Sequence, residues 1–358
     1  MEYVLKDRVL KYANTGEKKM TWKVYKTAVV FTLALLMSLP FSSNAQADAV
    51  TDWNAIAQVT TLPSNPPFAT RNMAIAQLAV FDAVNSIDSE YSPYLVSGPA
   101  PAGASPDAAA IAAAHYVLVQ LYPAAQVTLD ASFAASLAAI SDGNPKTAGV
   151  TWGESVAQQI VALRTNDGSA TVVPYVPGSG PGIWIPTPTA FLPALLPGWG
   201  LVTPFFLNSG DQFRVDSPPD LSSDEYTKAF LETKQLGSAL AVRTQDQSDV
   251  PRFWLVPGTQ GWNSAARQEA IAEGTSLSQN ARIFALLNVT GADAAIACWD
   301  TKFTYNTWRP VTAIRAADSD GNPDTDADPT WSSFVVTPPF PEYVSGHACY
   351  AGSGSARS

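Results

Sequence analysis

Toward its C-terminal end the chain carries Lys302 and, seven residues later, Arg309 followed by Pro310; Ser345-Gly346-His347 comes about 35 residues further on. These residue types can hold a phosphate-shaped oxyanion. On an α-helix seven residues make nearly two turns, so both cations point the same way with Cα atoms roughly 10 Å apart along the axis. Long cationic side chains close such a gap. Ser345-Gly346 reads as a helix start, where a hydroxyl and free backbone N–H groups seat an anion. A histidine beside that seat, His347, is the usual acid–base group near neutral pH. Trp299, Phe303, Tyr305 and Trp308 flank the cations. Such neighbours suit a buried helix, where unpaired cations are costly and a bound anion offsets the cost.

Other polar groups read as structural. His115 stands among Ala112, Ala113 and Ala114 with no carboxylate beside it in sequence, and Arg315, six residues after Arg309, points away from it on a helix. Asp318, Asp320, Asn322, Asp324, Asp326 and Asp328 alternate through a turn-rich loop, but Pro323 and Pro329 stand where a calcium loop needs Gly and Glu, so a solvated acidic loop is expected. The two cysteines, Cys298 and Cys349, each lie close to one of the two motifs. A disulfide is open to an exported chain; the favoured expectation is two small buried apolar residues.

The elements that must position these groups read as helices. Apolar periodicity predicts helices over Arg71–Ile87, Asp107–Leu121, Ala124–Ile140 and Lys146–Leu163. Helices resume at Ser222, with capping-box spacing to Glu225, and run to about Val242. Asn263–Glu273, Leu277–Val289 (closed near Gly291), Asp293–Trp308 and Pro310–Ala317 follow. Between Gly168 and about Pro219 periodicity vanishes and Pro and Gly recur, which predicts a long loop draped over the core. The fold class is an all-α helical bundle with long Pro/Gly-rich loops.

Composition sets the setting. Charged residues are 15% of the chain, below the roughly 25% of ordinary globular proteins. A net charge of −10 argues against nucleic acid as partner. Lys18, Lys19, Lys23 and Lys26 precede a short apolar run, Ala28–Leu39, and Ala45-Gln46-Ala47 is a small-x-small cleavage site. Residues 1–47 are therefore expected to be an export signal, with Met20 a possible start. The run is too short for a stable membrane span, which needs about 20 residues. A periplasmic or secreted domain over 48–358 is expected.

Lys-x6-Arg-Pro followed by Ser-Gly-His resembles the superfamily of vanadium-dependent haloperoxidases and type 2 phosphatidic acid phosphatases. The words Trp308–Arg315, Thr337–Tyr343, Val80–Ile87, Trp184–Thr187 and Gly198–Phe205 are similar to its secreted haloperoxidase-like branch. The resemblance implies vanadate at the anion seat, with hydrogen peroxide and halide as small-molecule substrates. On the same scaffold an acid phosphatase would hold phosphate and hydrolyse a phosphate ester. A non-catalytic oxyanion-binding remnant is the third reading. By resemblance Lys302 and Arg309 neutralise the oxyanion, Ser345 and Gly346 donate hydrogen bonds, and His347 moves the proton. Two departures stand out. Val344 replaces the family's proline before the serine, and the downstream Ser-Arg and metal-bonding His have no counterpart before Ser358. The resemblance therefore implies a domain incomplete at its C-terminus, with no metal ligand of its own and with weakened anion binding and turnover.

Overall fold

A computed structural model of the chain describes residues 47–355. The expected export signal lies outside them but for its last residue. Eleven α-helices, and no strand, are present among the described residues. Five form the first half: α1 (Ala49–Thr61), α2 (Pro66–Asp88), α3 (Pro106–Leu121), α4 (Gln126–Ala138) and α5 (Asn144–Arg164). Then come α6 (Asp224–Leu236), α7 (Gln245–Phe253), α8 (Gly258–Glu273), α9 (Leu277–Tyr305), α10 (Pro310–Arg315) and α11 (Gly346–Ser355).

The core is built around α2, which buries nearly every side chain from Ala69 to Asn85 against α9, α3 and α5. A helix buried on all sides is an interior helix. The alanines of α3 are buried, and Gly153 of α5 faces them so closely that an added Cβ would lie 2.2 Å from the Ala109 carbonyl oxygen. Small residues on both faces let the two axes approach. Several polar residues in this core are paired, although the buried Gln77 amide of α2 has no hydrogen-bond partner. Asn263 links Asn54 and Asn288 at 2.7–2.9 Å, and the Asp167 carboxylate takes Arg71 and Arg164 at 2.7 and 2.8 Å.

Several boundaries differ from expectation, each for a local reason. Helix α2 starts five residues early because Asn65 caps it and Pro66-Pro67 occupy its first turn, the position where a missing N–H costs nothing. Helix α6 is capped by Ser223, not Ser222, and stops at Gly237, after which the chain pairs with Ser333 instead of continuing to Val242. The periodicity gave no sign of α1 or of α7, whose Thr244–Gln247 capping box starts it and which contains Pro251.

The largest difference is α9. The expected break near Gly291 is absent, and one helix of 29 residues runs from Leu277 to Tyr305. Gly291 serves a close contact: a Cβ there would sit 2.5 Å from the Tyr350 hydroxyl. Helix propensity costs a mid-helix glycine about 1 kcal/mol, which packing against α2, α8 and α11 readily exceeds. α9 is long and apolar enough to cross a membrane, but most of its apolar window is buried in the bundle, as in a core helix.

Residues 165–223 form the long irregular segment, with one 3₁₀ turn at Trp199–Leu201. It lies against α9, with Trp184 and Trp199 buried. The Asp293 carboxylate of α9 accepts the N–H groups of Phe205, Phe206 and Leu207 at 2.7–3.1 Å, fixing this segment on the helix. The Leu195 N–H donates to the Pro339 carbonyl at 2.8 Å, which joins it to the strap that borders the site.

Candidate functional site

Lys302 lies in the last turn of α9, and Arg309 is the residue before α10. The two are not on one helix, as their spacing suggested. α9 stops at Tyr305 because Asn306 turns left-handed (φ 50°), and its side chain is held by the Tyr175 hydroxyl at 2.6 Å. Arg309 is extended (φ −89°, ψ 154°), as a residue before proline must be, and reaches back toward Lys302. Both cations share the ring of Phe340, with Lys302 Nζ at 5.1 Å and Arg309 Cζ at 4.6 Å from its centroid. Cation–ring contacts at desolvated sites are worth about 2 kcal/mol.

Both cations are buried, Lys302 at 1% exposure and Arg309 at 7%. A strap of residues 340–344 satisfies Lys302 and part of Arg309. Lys302 Nζ donates to the carbonyls of Pro341 and Glu342 at 2.9 Å and of Val344 at 2.5 Å. Three acceptors require three N–H bonds, so this geometry suits the ammonium and not the neutral amine. Burial nevertheless pulls the lysine down from 10.5 to about 8. Arg309 Nε donates to the Phe340 carbonyl at 2.6 Å and Nη1 to the Glu342 carboxylate at 2.5 Å. Arg309 Nη2 is buried without a hydrogen-bond partner. Burial lowers the guanidinium's proton affinity, and Glu342 opposes that shift.

Arg309 and Glu342 line a cavity of about 620 Å³ together with Arg243, Trp331, Phe334 and Thr337. Arg243 stacks on Phe334, its Cζ 3.9 Å from the ring centroid. His347 lines a different cavity, of about 530 Å³, with Phe253, Trp254, Trp262 and Tyr350. Of the expected constellation the structure brings Lys302 and Arg309 together and sets His347 apart from the Arg309 cavity. The cause is the docking of α11. His347, Tyr350 and Ala351 share one face by helical spacing, and that face is turned to α8 by Tyr350 packing on Gly258 and Gly291 and by Gly354 under Trp262. Ser345 is exposed; its hydroxyl accepts the Ala348 N–H at 3.3 Å as a cap of α11, and Gly346 opens the helix. Val344 keeps the strap joined to this start through its carbonyl bond to Lys302.

The remaining candidates are placed clearly. Cys298 and Cys349 are free thiols that meet in an apolar cluster with Trp199, Ile296 and Trp299. The hydrogen bond that the Cys298 S–H donates to Cys349, together with burial, pushes the Cys298 thiol upward. His115 does have a carboxylate neighbour: Asp130 of α4 takes its Nε2 at 2.8 Å, while Phe133 stacks on the ring. Arg315 donates to the Trp331 carbonyl. The acidic loop is held by its own turns, such as Asp320 to Asn322 and Thr325, and no cluster of His, Cys, Asp or Glu placed to hold a metal occurs among the described residues. Sequence reasoning missed Phe340 and Glu342 as site residues. Both lay inside the word Thr337–Tyr343, whose aromatic and acidic members face the two cations.

Comparisons with known proteins bear on the fold and on the segment that carries these residues. Residues 282–356, which hold both cations and the strap, match the family described as the VCPO second helical-bundle domain. The chain is 26% identical to the vanadium chloroperoxidase of Curvularia inaequalis over 81% of its own length, and spans 60% of that relative. A bacterial vanadium-dependent iodoperoxidase superposes with a TM-score of 0.73 at 24% identity, covering 86% of this chain and 78% of that one. The holo form of a bacterial vanadium-dependent chloroperoxidase gives 0.65 at 17% identity, over 81% and 74% of the two chains. The helical bundle thus has the fold of the bacterial vanadium-dependent haloperoxidases, and its segment 282–356, which ends the core helix and carries the buried cation pair, is similar to the second helical-bundle domain of that family.

Proposed function

We propose that the chain is an exported, vanadate-dependent haloperoxidase-like protein whose oxyanion seat is the pair Lys302 and Arg309. The observation that carries this reading is the burial of two cations on one aromatic ring, with Arg309 Nη2 buried and unpartnered. Two buried positive charges face one half-exposed carboxylate, Glu342, which leaves one charge of the pair without a matching anion. The groups fit a tetrahedral oxyanion by their chemistry: Arg309 Nη2 is a free, desolvated donor, and Lys302, whose three N–H bonds are held by the strap, adds positive charge beside it.

Vanadate held there would supply the centre at which hydrogen peroxide oxidises halide. The chain's own residues then have these tasks. Arg309 and Lys302 neutralise oxyanion charge. Phe340, with Trp299 at 5.0 Å from it, keeps water from the cations. The strap orients them through the carbonyls of Phe340, Pro341, Glu342 and Val344. The donor and proton-exchange roles that the resemblance implies for Ser345, Gly346 and His347 have no support from this arrangement, in which the Ser345 hydroxyl caps α11 and His347 lines a separate cavity. Fixed donors aimed at a charged oxyanion are strong stabilisers of its reactions.

The experiment is a halogenation assay with peroxide and bromide after vanadate loading, run beside a phosphate-ester hydrolysis assay without vanadate. Vanadate-dependent halogenation that is lost in Arg309→Ala supports the reading. Ester hydrolysis without vanadate, lost in the same variant, would move the activity to a phosphatase. Vanadate and phosphate binding that both survive loss of Lys302 and Arg309 would refute the seat.

A further inference from the structure

The carboxylate of Glu342 sits where the expected ligand of Arg309 would place an oxygen. Its Oε2 meets Nη1 at 2.5 Å, and the same residue's main-chain carbonyl accepts Lys302 Nζ at 2.9 Å. One residue therefore engages both cations, by its two different ends. Its backbone is anchored independently, since the Glu342 N–H donates to the Thr307 carbonyl at 2.9 Å. We infer that Glu342 is a tethered anion that competes with an external oxyanion for Arg309, and so sets how tightly the seat takes phosphate-like ions. This rests on the oxyanion reading of the Lys302–Arg309 pair.

Three features favour competition over a permanent structural ion pair. The first is unequal exposure: the side chain of Glu342 is 41% exposed and that of Arg309 only 9%. The anion can swing into solvent, while the cation cannot follow it. The second is the half-used fork. Glu342 takes only Nη1, and Nη2 stays buried without a partner. A tetrahedral oxyanion presents two oxygens at the spacing a guanidinium fork matches, so it satisfies both nitrogens where the tethered carboxylate satisfies one. The third is access. Arg309 and Glu342 both line the cavity of about 620 Å³, so a ligand arriving through it meets the carboxylate and the guanidinium together.

The charge count points the same way. Lys302 and Arg309 carry two positive charges and Glu342 one negative, leaving a seat of net +1; a neutral amide at 342 leaves +2. Replacing the carboxylate removes both the competitor for Nη1 and the like charge facing an incoming anion. No covalent step is involved: one ionic hydrogen bond is exchanged for two.

The test titrates inorganic phosphate into the 358-residue chain by calorimetry, comparing it with Glu342→Gln, Glu342→Asp and the double change Lys302→Met with Arg309→Ala. Glutamine is nearly isosteric at a half-exposed position, and the aspartate variant keeps the charge but shortens its reach, so one covers a folding failure of the other. Phosphate should bind Glu342→Gln at least about tenfold more tightly than the parent, equivalent to about 1.4 kcal/mol. Glu342→Asp should fall between them, and the double variant should not bind. Tighter binding by Glu342→Gln where the parent shows none also supports the inference. Equal affinity in the parent and both Glu342 variants, with binding lost in the double variant, overturns the role of Glu342 and leaves the seat standing. Binding that persists in the double variant, or absence of binding in every form, overturns the seat and the inference with it.

Discussion

Replacing Lys302 by methionine separates a ligand-holding lysine from a structural strap. Methionine has nearly the same length and fills the same volume without charge. Two opposing terms set the change in stability. Burial lowers the lysine from 10.5 to about 8, so the charged form costs on the order of 3 kcal/mol in the fold. Against this stand three hydrogen bonds to the carbonyls of Pro341, Glu342 and Val344, each with a net worth of about 1–1.5 kcal/mol. The terms nearly cancel. Lys302→Met is therefore expected to shift the unfolding free energy by less than about 2 kcal/mol, far below the roughly 3–5 kcal/mol that follows when one partner of a buried ion pair is removed. Phosphate and vanadate binding, in contrast, should drop below detection, because half the positive charge of the seat is gone. Urea unfolding and calorimetric titration on the same preparation read the two effects. Loss of more than about 4 kcal/mol of stability with anion binding intact would refute the reasoning, since the lysine would then be a strap for residues 341–344 and nothing more.

Three further outcomes are expected. Phosphate binding should weaken as pH rises through about 8, where Lys302 loses its charge and one of its three N–H donors; stability contributed by this group moves the opposite way, rising with pH between about 8 and 10.5, because there the unfolded chain holds the extra proton. Binding flat across that range, measured by titration at several pH values, would count against a charged Lys302 in the seat. Gly291→Ala should destabilise the protein by about 1–2 kcal/mol, an overpacking cost of about 1–3 kcal/mol against Tyr350 offset in part by alanine's helix propensity; hydrogen exchange should locate the loss in α11. The exported protein should begin at Asp48, whose carboxylate caps α1 and accepts Asn280 at 2.8 Å; a soluble cytoplasmic product starting at Met1 or Met20 by N-terminal sequencing would contradict this.

The fold class was legible because helical periodicity is local, and so was the long segment around Trp184 and Trp199. Boundaries failed where tertiary packing outweighed propensity. Gly291 looked like a helix end, but it is the floor of the Tyr350 site and α9 passes straight through it. No local signal could say so, because Tyr350 lies 59 positions away in sequence. The cation pair was found from its spacing, yet by an argument that the structure replaces. Lys302 and Arg309 meet because Asn306 ends α9 and Pro310 holds Arg309 extended, not because they share a helix face.

What the sequence could not display is the set of acceptors around the two cations. Four of the five oxygens that engage Lys302 and Arg309 are main-chain carbonyls, of Phe340, Pro341, Glu342 and Val344, and any residue type supplies those. The type of residue matters only where a side chain enters, at the Phe340 ring and the Glu342 carboxylate. Proline at 341, with Pro338 and Pro339 just before the strap, is the remaining trace, since it removes backbone donors there and leaves carbonyls as the main offering to the cations. A carbonyl dipole can hold a buried cation but cannot neutralise it, so the strap alone leaves the pair short of negative charge. Glu342 supplies one charge from a half-exposed side chain, and Arg309 Nη2 is left without a partner. The pair is therefore short of one negative charge, and the Glu342 and Lys302 substitutions measure how far an external anion makes up the difference.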